Sequence, residues 1–439
     1  MTLGRAYSVA IRGLSGVIVE IEADIAAGLP GVHLVGLADA ALQESRDRVR
    51  AAITNCGNTW PQTRLTLALS PATLPKGGSM YDLAIAASVL SSQLKVHGDR
   101  LEKVVLLGEL ALDGRVRGLK GVLPAVLAAK RDGWPTVVVP EDNLAEACLV
   151  DGIEVRGVRS LRQLQAWLNG KTALQDRVTV PPTVAGDLPD LTDVVGQAQA
   201  RWAVEIAAAG GHTLRLTGPP GIGKTMLAQR LPGLLPDLSE TDALDVTAIH
   251  SIAGLLTGDS PLITRPPFVA PHHTATVAAV VGGGAGLARP GAVSRAHRGV
   301  LFLDEYAEIG SSVLESLRTP LEDGEIRLAR RDGVVRYPAR FQLVAAYPVL
   351  DLSAPAVARF RLCRSRAGGL FTSTGTLPSH GPASLRRWTW VITGDGCLSA
   401  MHGSALAVCW KEHLFWLGRM VDTISCCIGF SKSYRPQVH

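Results

Sequence analysis

No run of about 18 or more uncharged apolar residues occurs in the 439-residue chain, so nothing in it reads as a membrane-spanning helix. The opening MTLGRAYSVAIRG has neither the uninterrupted apolar segment nor the small-residue cleavage site of a secretory signal. Seven cysteines include no CxxC pair and no Cys/His set at zinc-finger spacing, so reduced thiols that bind no metal are expected. No repeat at solenoid spacing is found. These absences leave a soluble cytoplasmic protein as the expectation. What is present, 47% hydrophobic and 19% charged residues, is enough to bury sizeable cores in two to four domains.

The formal net charge of +5 is unevenly held. Residues 347–439 carry ten Lys/Arg against four acids, leaving the first 346 residues at −1. The basic balance belongs to the tail, and bulk charge gives no nucleic-acid signal for the body. Five of the seven cysteines and four of the eight tryptophans also follow residue 346.

Residues 1–170 read as alternating strands and helices. SVAIRG, GVIVEIEAD and TRLTLALSP are strand-like, and ADAALQESRDRVRAAITNCG is a helix with Gly57 at its C′ position. YDLAIAASVLSSQ has helical spacing, and VVLLGELALDGRVRG reads as a hairpin around Asp113-Gly114. GVLPAVLAAKRDG, TVVVP and EDNLAEACLV give helix, strand and helix, and SLRQLQAWLNG closes the unit. Residues 171–190, with Pro181-Pro182 and Pro189, read as a linker. A second α/β unit spans 191–346. The remaining 347–439 shows no sustained helical or strand period and is expected to be irregular.

The strongest motif is Gly218-Pro219-Pro220-Gly221-Ile222-Gly223-Lys224-Thr225, which fits G-x-x-x-x-G-K-[ST]. It follows the strand-like HTLRLT and opens a helix at Thr225-Met226. Glycines allow backbone N–H groups to close around phosphate oxygens, and a helix N-terminus favours negative charge. Lys224 would reach the β- and γ-phosphates of ATP and Thr225 would bind Mg²⁺. Eighty residues on, GVLFLDE is an apolar strand ending in Asp304 and Glu305. Asp304 would hold the Mg²⁺ through water, and Glu305 would polarise the attacking water.

FVAPHHT (268–274), Gly282-Gly283-Gly284, Arg289-Pro290-Gly291 and AHRGVLFLDE together resemble the magnesium-chelatase-like AAA+ ATPases of the ComM/YifB type. DVVGQ (193–197) is similar to the AAA+ segment beside the adenine. The resemblance covers residues 1–346. It implies an N-terminal ribosomal S5 domain 2-like, Lon-protease-like α+β domain, then a P-loop AAA+ domain. It also implies a homo-oligomer, hexameric in the family, with nucleotide between subunits and DNA as partner in helicase or branch-migration work during competence. A tetrapyrrole magnesium-chelatase-type ATPase is the alternative enzyme. A truncated pseudo-ATPase serving as a nucleotide-binding interaction module is the non-enzyme one. GEIRLARRDGVVRYPAR reads as a hairpin turning at Asp332-Gly333, and family hairpins of this kind face the ring pore. Arg327, Arg330, Arg331 and Arg336 could there grip phosphates without reading sequence. His272 and His273, being adjacent, are expected to point differently and serve structure. PKGGSMYD resembles the Lon nucleophile loop, but Met80 takes the nucleophile position, Ser79 stands one residue early and Lys120 is out of register. No peptidase is expected, and a scaffold or interaction role remains.

The family pattern stops after FQLVAA. Where the family has a sensor asparagine, Tyr347 precedes Pro348, and a phenol cannot reproduce a carboxamide's paired donor and acceptor. No helical lid with its arginine follows; Ala358-Arg359-Phe360 is the nearest match to the family's arginine-finger segment. Nucleotide binding is expected to survive this, and turnover and ring assembly to suffer. The abrupt change at residue 347 fits a shifted reading frame. Translating the other frames past codon 346 should then give Asn-Pro and a helical lid; a search that finds neither would remove that reading.

Overall fold

The computed structural model describes residues 3–36, 40–72, 78–178, 188–256, 261–284, 288–330 and 333–348, with four further strands inside the tail. The first unit contains β1 (Leu3–Arg12), β2 (Ser15–Ala26), β3 (Gly31–Val35), α1 (Ala40–Asn55), β4 (Arg64–Ser70), α2 (Asp82–Ser92) and α3 (Gly98–Leu101). It continues with β5 (Val104–Leu106), β6 (Glu109–Leu110), β7 (Val116–Arg117), α4 (Val122–Arg131), β8 (Thr136–Pro140), α5 (Leu144–Ala147), β9 (Glu154–Val158) and α6 (Leu161–Leu168). Seven strands form one sheet in the order β3-β4-β2-β1-β5-β8-β9. β1 and β2 pair from Leu3↔Asp24 to Arg12↔Ser15, as their facing apolar alternation requires.

Helices cover both faces of this sheet. α2 is buried almost all round rather than on one stripe, with Leu83, Ile85, Val89 and Leu90 all at 1% exposure or less. It rides so close to β1 that a Cβ on Gly4 would come 2.0 Å from the Ser88 carbonyl, which requires glycine there. α4 packs on the other face with Val9, Val105, Val137 and Val139. The segment expected as a linker begins as part of this unit: Leu174 is buried, and Gln175 and Gly157 exchange backbone hydrogen bonds of 2.9 and 3.1 Å.

The second unit contains α7 (Ala198–Gly210), β10 (Thr213–Gly218), α8 (Lys224–Arg230), α9 (Glu240–Ala253), β11 (Phe268–Val269), α10 (Val277–Val281), β12 (Gly282–Gly283) and β13 (Arg289–Pro290). It continues with α11 (Ala292–Arg295), β14 (Val300–Leu303), α12 (Ser311–Ser316), α13 (Arg318–Asp323), β15 (Glu325–Arg330), β16 (Gly333–Pro338) and β17 (Gln342–Pro348). β11, β14, β17 and β10 lie parallel and adjacent in that order. The tail is not wholly irregular. It supplies β18 (Phe371–Gly375), β19 (Trp388–Thr393), β20 (Cys397–Ala400) and β21 (Leu406–Cys409), and β19 joins β10 antiparallel. These strands are four to six residues long, too short to announce themselves as a period in the sequence. Among the described residues no helix is long and apolar enough to cross a membrane.

The two units share packing. Leu244 and Ala248 of α9 join the apolar cluster of α4 and α5. The Gly121 N–H donates to the Ser251 carbonyl at 3.2 Å. The Ser251 hydroxyl donates to the buried Glu146 carboxylate, which also accepts from the Leu123 N–H at 2.8 Å and the Asn143 amide at 3.0 Å. Burial raises the Glu146 pKa, and those three hydrogen bonds oppose the rise.

A second bridge is the β15–β16 hairpin, paired from Glu325↔Pro338 to Arg330↔Gly333. Gly333 is therefore a strand residue, and the expected turn at Asp332-Gly333 lies partly outside the described residues. The inner face of the hairpin is apolar. Val335 and Tyr337 pack with Ile11 and Leu14 at the β1–β2 turn, and the Tyr337 hydroxyl donates to the Ala288 carbonyl at 2.5 Å. Gly13, at φ +63°, sits under this contact, where a Cβ would lie 2.8 Å from the Arg336 carbonyl.

β14 is anchored at its entry. His297 is 3% exposed, and its Nδ1 accepts the Arg340 N–H at 3.1 Å, which requires the neutral ring. Burial, with help from the Arg298 charge, lowers its pKa to about 4, while Asp242 opposes the shift. A depressed folded-state pKa contributes stability above the unfolded value and loses it as pH falls. Unfolding free energy should therefore drop between pH of about 6.5 and about 4. The drop should be smaller in His297→Asn, measured by denaturant titration at each pH; parallel curves for the two proteins would contradict this.

Candidate functional site

β10 ends at Gly218, and the chain turns through 219–223 into α8. The turn needs left-handed backbone at Gly221 (φ +76°) and Gly223 (φ +93°), which glycine adopts without strain. A Cβ at Gly221 would meet nothing within 4 Å, so the loop encloses open space on that side. α8 stops at Arg230 because Pro232 follows, and the chain continues as a 3₁₀ turn over Leu231–Leu234.

Lys224 is 8% exposed, and its Nζ donates to the carbonyls of Gly218 (2.8 Å) and Pro219 (3.0 Å). Burial lowers its pKa, while Asp304 and Glu305 favour its charge. The Thr225 Oγ1 donates to Asp304 Oδ2 at 2.9 Å, and Asp304 Oδ1 accepts the Glu305 N–H at 3.0 Å. Glu305 itself has φ +48°, a backbone state uncommon outside glycine. Loop, hydroxyl and carboxylates predicted from separate stretches of sequence thus meet at one place. Met226 lies beside them, its methyl 3.0 Å from where a Gly223 Cβ would stand.

Gln197 borders the loop from the other side. Its Nε2 donates to the Ile222 carbonyl at 2.8 Å, and its buried Oε1 has no hydrogen-bond partner among the described residues. Arg230 ties this flank down through the Asp190 carbonyl (2.9 Å) and Asp193 (3.4 Å). An open glycine cradle, an orphaned amide oxygen at its wall and a hydroxyl–carboxylate oxygen pair fit a Mg-nucleotide. The donor set is hard oxygen, as Mg²⁺ prefers.

Tyr347 departs from the family pattern in structure as well as in sequence. It stands on β17 opposite Thr217, with its ring 5.5 Å from that of Tyr306. The Arg215 guanidinium lies 5.6 and 5.7 Å from the two ring centres. The position is filled by an aromatic pair around a cation. The Ala358-Arg359-Phe360 segment lies outside the described residues.

The histidines depart from expectation too. The rings of His272 and His273 are 4.1 Å apart and tilted by 34°. His273 faces two carboxylates, Glu305 (Nδ1–Oε2 3.6 Å) and Glu308 (Nε2–Oε2 3.9 Å). Sequence reasoning missed Glu308, Arg215 and Tyr306, and had Gln197 only as the last residue of DVVGQ. Of the three missed, only Glu308 had a local signal, its spacing of three from Glu305.

Of the hairpin arginines, Arg327 pairs with Glu325 (2.5 Å) and Asp323 (3.6 Å), and Arg336 stands 4.0 Å from the same Glu325. Arg327 and Arg336 are direct cross-strand partners on the outer face. Arg330 ends β15, and Arg331 lies outside the described residues. In the first unit Ser79 donates to Glu109, and the Lys120 chain lies against Gly254.

A family model described as magnesium chelatase, subunit ChlI, matches residues 190–354. A second, subunit ChlI of Mg-chelatase, matches residues 21–143. An uncharacterized protein of Mycobacterium tuberculosis is 76% identical over 346 residues, 79% of this chain and 69% of that protein. YifB of Escherichia coli, also uncharacterized, is 43% identical over 346 residues, 79% and 68% of the two chains. The competence protein ComM of Haemophilus influenzae is 40% identical over 351 residues, again 79% and 68%. A Lon protease of Mycolicibacterium smegmatis is 30% identical over 177 residues, 37% of this chain and 22% of that one.

Proposed function

The chain belongs to the magnesium-chelatase-like family of ComM and YifB, and from that premise we propose that it is an ATP-binding AAA+ protein of a DNA-processing motor. The observation that carries the nucleotide reading is the 2.9 Å contact between Thr225 and Asp304, which joins the phosphate loop to the acidic strand end. Thr225 and Asp304 would hold Mg²⁺, which would supply charge neutralisation for the phosphates, and Lys224 would bind them. Glu305 takes the proton of the attacking water. The cradle is formed by Gly218, Pro219, Pro220, Gly221, Ile222 and Gly223, with Met226 against its base.

Tyr347 makes hydrolysis slow in this chain, because its ring packs with Tyr306 and Arg215 instead of orienting water. The motor reading draws on the competence protein ComM as a relative and on the exposed hairpin arginines Arg327 and Arg336; Glu325 and Asp323 already partner Arg327, which weakens a simple phosphate grip. The first unit, read as the Lon-like α+β domain over 1–170, acts as scaffold, and the assembly is a homo-oligomeric ring. A second reading is favoured by the match to magnesium chelatase subunit ChlI: an ATPase serving magnesium insertion into a tetrapyrrole.

Mg-ATP turnover with and without single-stranded DNA tests this, beside Lys224→Ala and Glu305→Gln. Nucleotide binding should be lost in Lys224→Ala. Glu305→Gln should keep binding and lose about 10²-fold or more of whatever turnover the chain has. DNA should raise turnover and porphyrin should not. Binding that is indifferent to Lys224, or stimulation by porphyrin instead of DNA, would refute the proposal.

A further inference from the structure

One imidazole and two carboxylates meet at the ends of two neighbouring strands. β11 and β14 are parallel with Val269 opposite Leu301, and His273 and Glu305 each follow their strand partner by four positions. Both carriers are fixed. The Tyr306 N–H donates to the Ala346 carbonyl at 3.1 Å and the Glu308 N–H to the Glu305 carbonyl at 2.8 Å. On the other side the Ala275 N–H donates to the His272 carbonyl at 2.9 Å, and the Thr276 hydroxyl caps α10 by accepting from the Ala279 N–H.

One ring nitrogen of His273 and one oxygen from each of Glu305 and Glu308 lie within 4.8 Å of one another. A tetrahedral ion with bonds of about 2.0–2.2 Å holds its ligand atoms roughly 3.4 Å apart. Both glutamate side chains are about half exposed and free to turn, so the cluster can close with the backbone left in place. The ring is also unspent. His250 and His297 each engage a backbone group, at 3.0 and 3.1 Å, whereas neither nitrogen of His273 has a hydrogen bond among the described residues. The His272 ring packs on it at 4.1 Å and is itself held by the Thr274 N–H, 3.3 Å from its Nδ1.

Charge and donor type both point to an ion. Among the described residues no lysine or arginine pairs with Glu305 or Glu308, and His273 is their one basic neighbour within 4 Å. A dication would offset that negative charge. An imidazole nitrogen beside carboxylate oxygens suits Zn²⁺, whereas Mg²⁺ prefers oxygen alone and dehydrates reluctantly. The Thr225–Asp304 pair is the contrasting all-oxygen site.

We propose that His273, Glu305 and Glu308 form a second metal site, which binds one Zn²⁺-like dication in preference to Mg²⁺ and stops hydrolysis while it is occupied. The inhibition rests on the ATPase reading of Glu305; the binding does not. The Glu305 carboxylate can hold the ion or take a proton from water, and the first excludes the second. Three protein ligands with one open position make a site that exchanges its ion with solvent.

The test uses the full chain with its accessible thiols alkylated, because seven cysteines would otherwise compete for the ion. Zn²⁺ binding is read by competition with a fluorescent zinc chelator, in excess Mg²⁺ and without nucleotide. The wild type should bind one equivalent that His273→Ala loses. Glu308→Gln, nearly the same shape and so a guard against misfolding, should bind it about 10-fold more weakly or worse, since even groups behind a ligand are worth 10- to 100-fold. With ¹³C-labelled histidine rings, the resonance missing from His273→Ala should be the one that moves with the first equivalent of Zn²⁺. Equal binding by all three proteins, a first equivalent that moves other rings, or zinc displaced by the excess Mg²⁺ would overturn the site.

Turnover is read separately. Saturating Zn²⁺ should lower wild-type Mg-ATP turnover about 10²-fold or more, as loss of a general base does, and should leave His273→Ala at its own zinc-free rate. Unchanged wild-type turnover with the equivalent bound would overturn the inhibition. Failure of the ATPase reading looks different: the equivalent still depends on His273 and Glu308, and the wild type has no turnover at any zinc level.

Discussion

The hydrogen bond from Thr225 to Asp304 is the constraint on which the rest of the site depends. It joins the first turn of α8 to the end of β14, two pieces of chain about 80 residues apart that are not neighbours in the sheet. β17 lies between β10 and β14, so the contact must be made above the sheet edge, at the carboxyl ends of three parallel strands. That is where ligands of open α/β sheets bind. The apolar runs HTLRLT, VLFL and QLVAA exist to put those ends level. Where one run is misplaced by a residue, the side chains alternate to the wrong face and the oxygen pair is lost.

The first unit is a structural part of this arrangement. α4 and α5 meet α9 through a shared apolar cluster and through the buried Glu146, which accepts from Ser251 of α9 and from the Leu123 N–H of α4, and the β1–β2 turn supports the β15–β16 hairpin. A buried carboxylate left without its donors would be costly. Glu146 therefore ties the relative position of α4 and α9 to a hydrogen-bonded state as well as to packing. The outer face of the hairpin carries the arginines, and its inner face is a buried joint. Val335 and Tyr337 make that joint with Ile11 and Leu14.

Much of this was legible in the sequence, and what was not has a common cause. The phosphate loop, the acidic strand end and most helices of the first unit follow from local period and glycine placement. β3 and β9 were missed because five-residue strands carry little alternation. α2 hid its burial, since a helix covered on all sides has no polar stripe to betray it. Leu174 looked like linker because its partner, β9, had not been recognised. The histidines were misjudged for the same reason: adjacency in sequence says that two side chains leave the chain in different directions, and nothing about a loop that folds their rings together. Tyr347 was visible as a departure from the family, but its partners, Arg215 within β10 and Tyr306 in the turn after β14, are brought into reach only by the tertiary structure.

The most direct test of the central claim is the Mg²⁺ dependence of ATP affinity, read with a fluorescent ATP analogue, in the wild-type chain and in Asp304→Asn and Thr225→Ala. The account predicts that Mg²⁺ tightens binding in the wild type and that this tightening is largely lost in both variants, while metal-free binding stays close to wild type. Equal tightening by Mg²⁺ in all three proteins would contradict it, because the oxygen pair joining α8 to β14 would then not be the metal's seat.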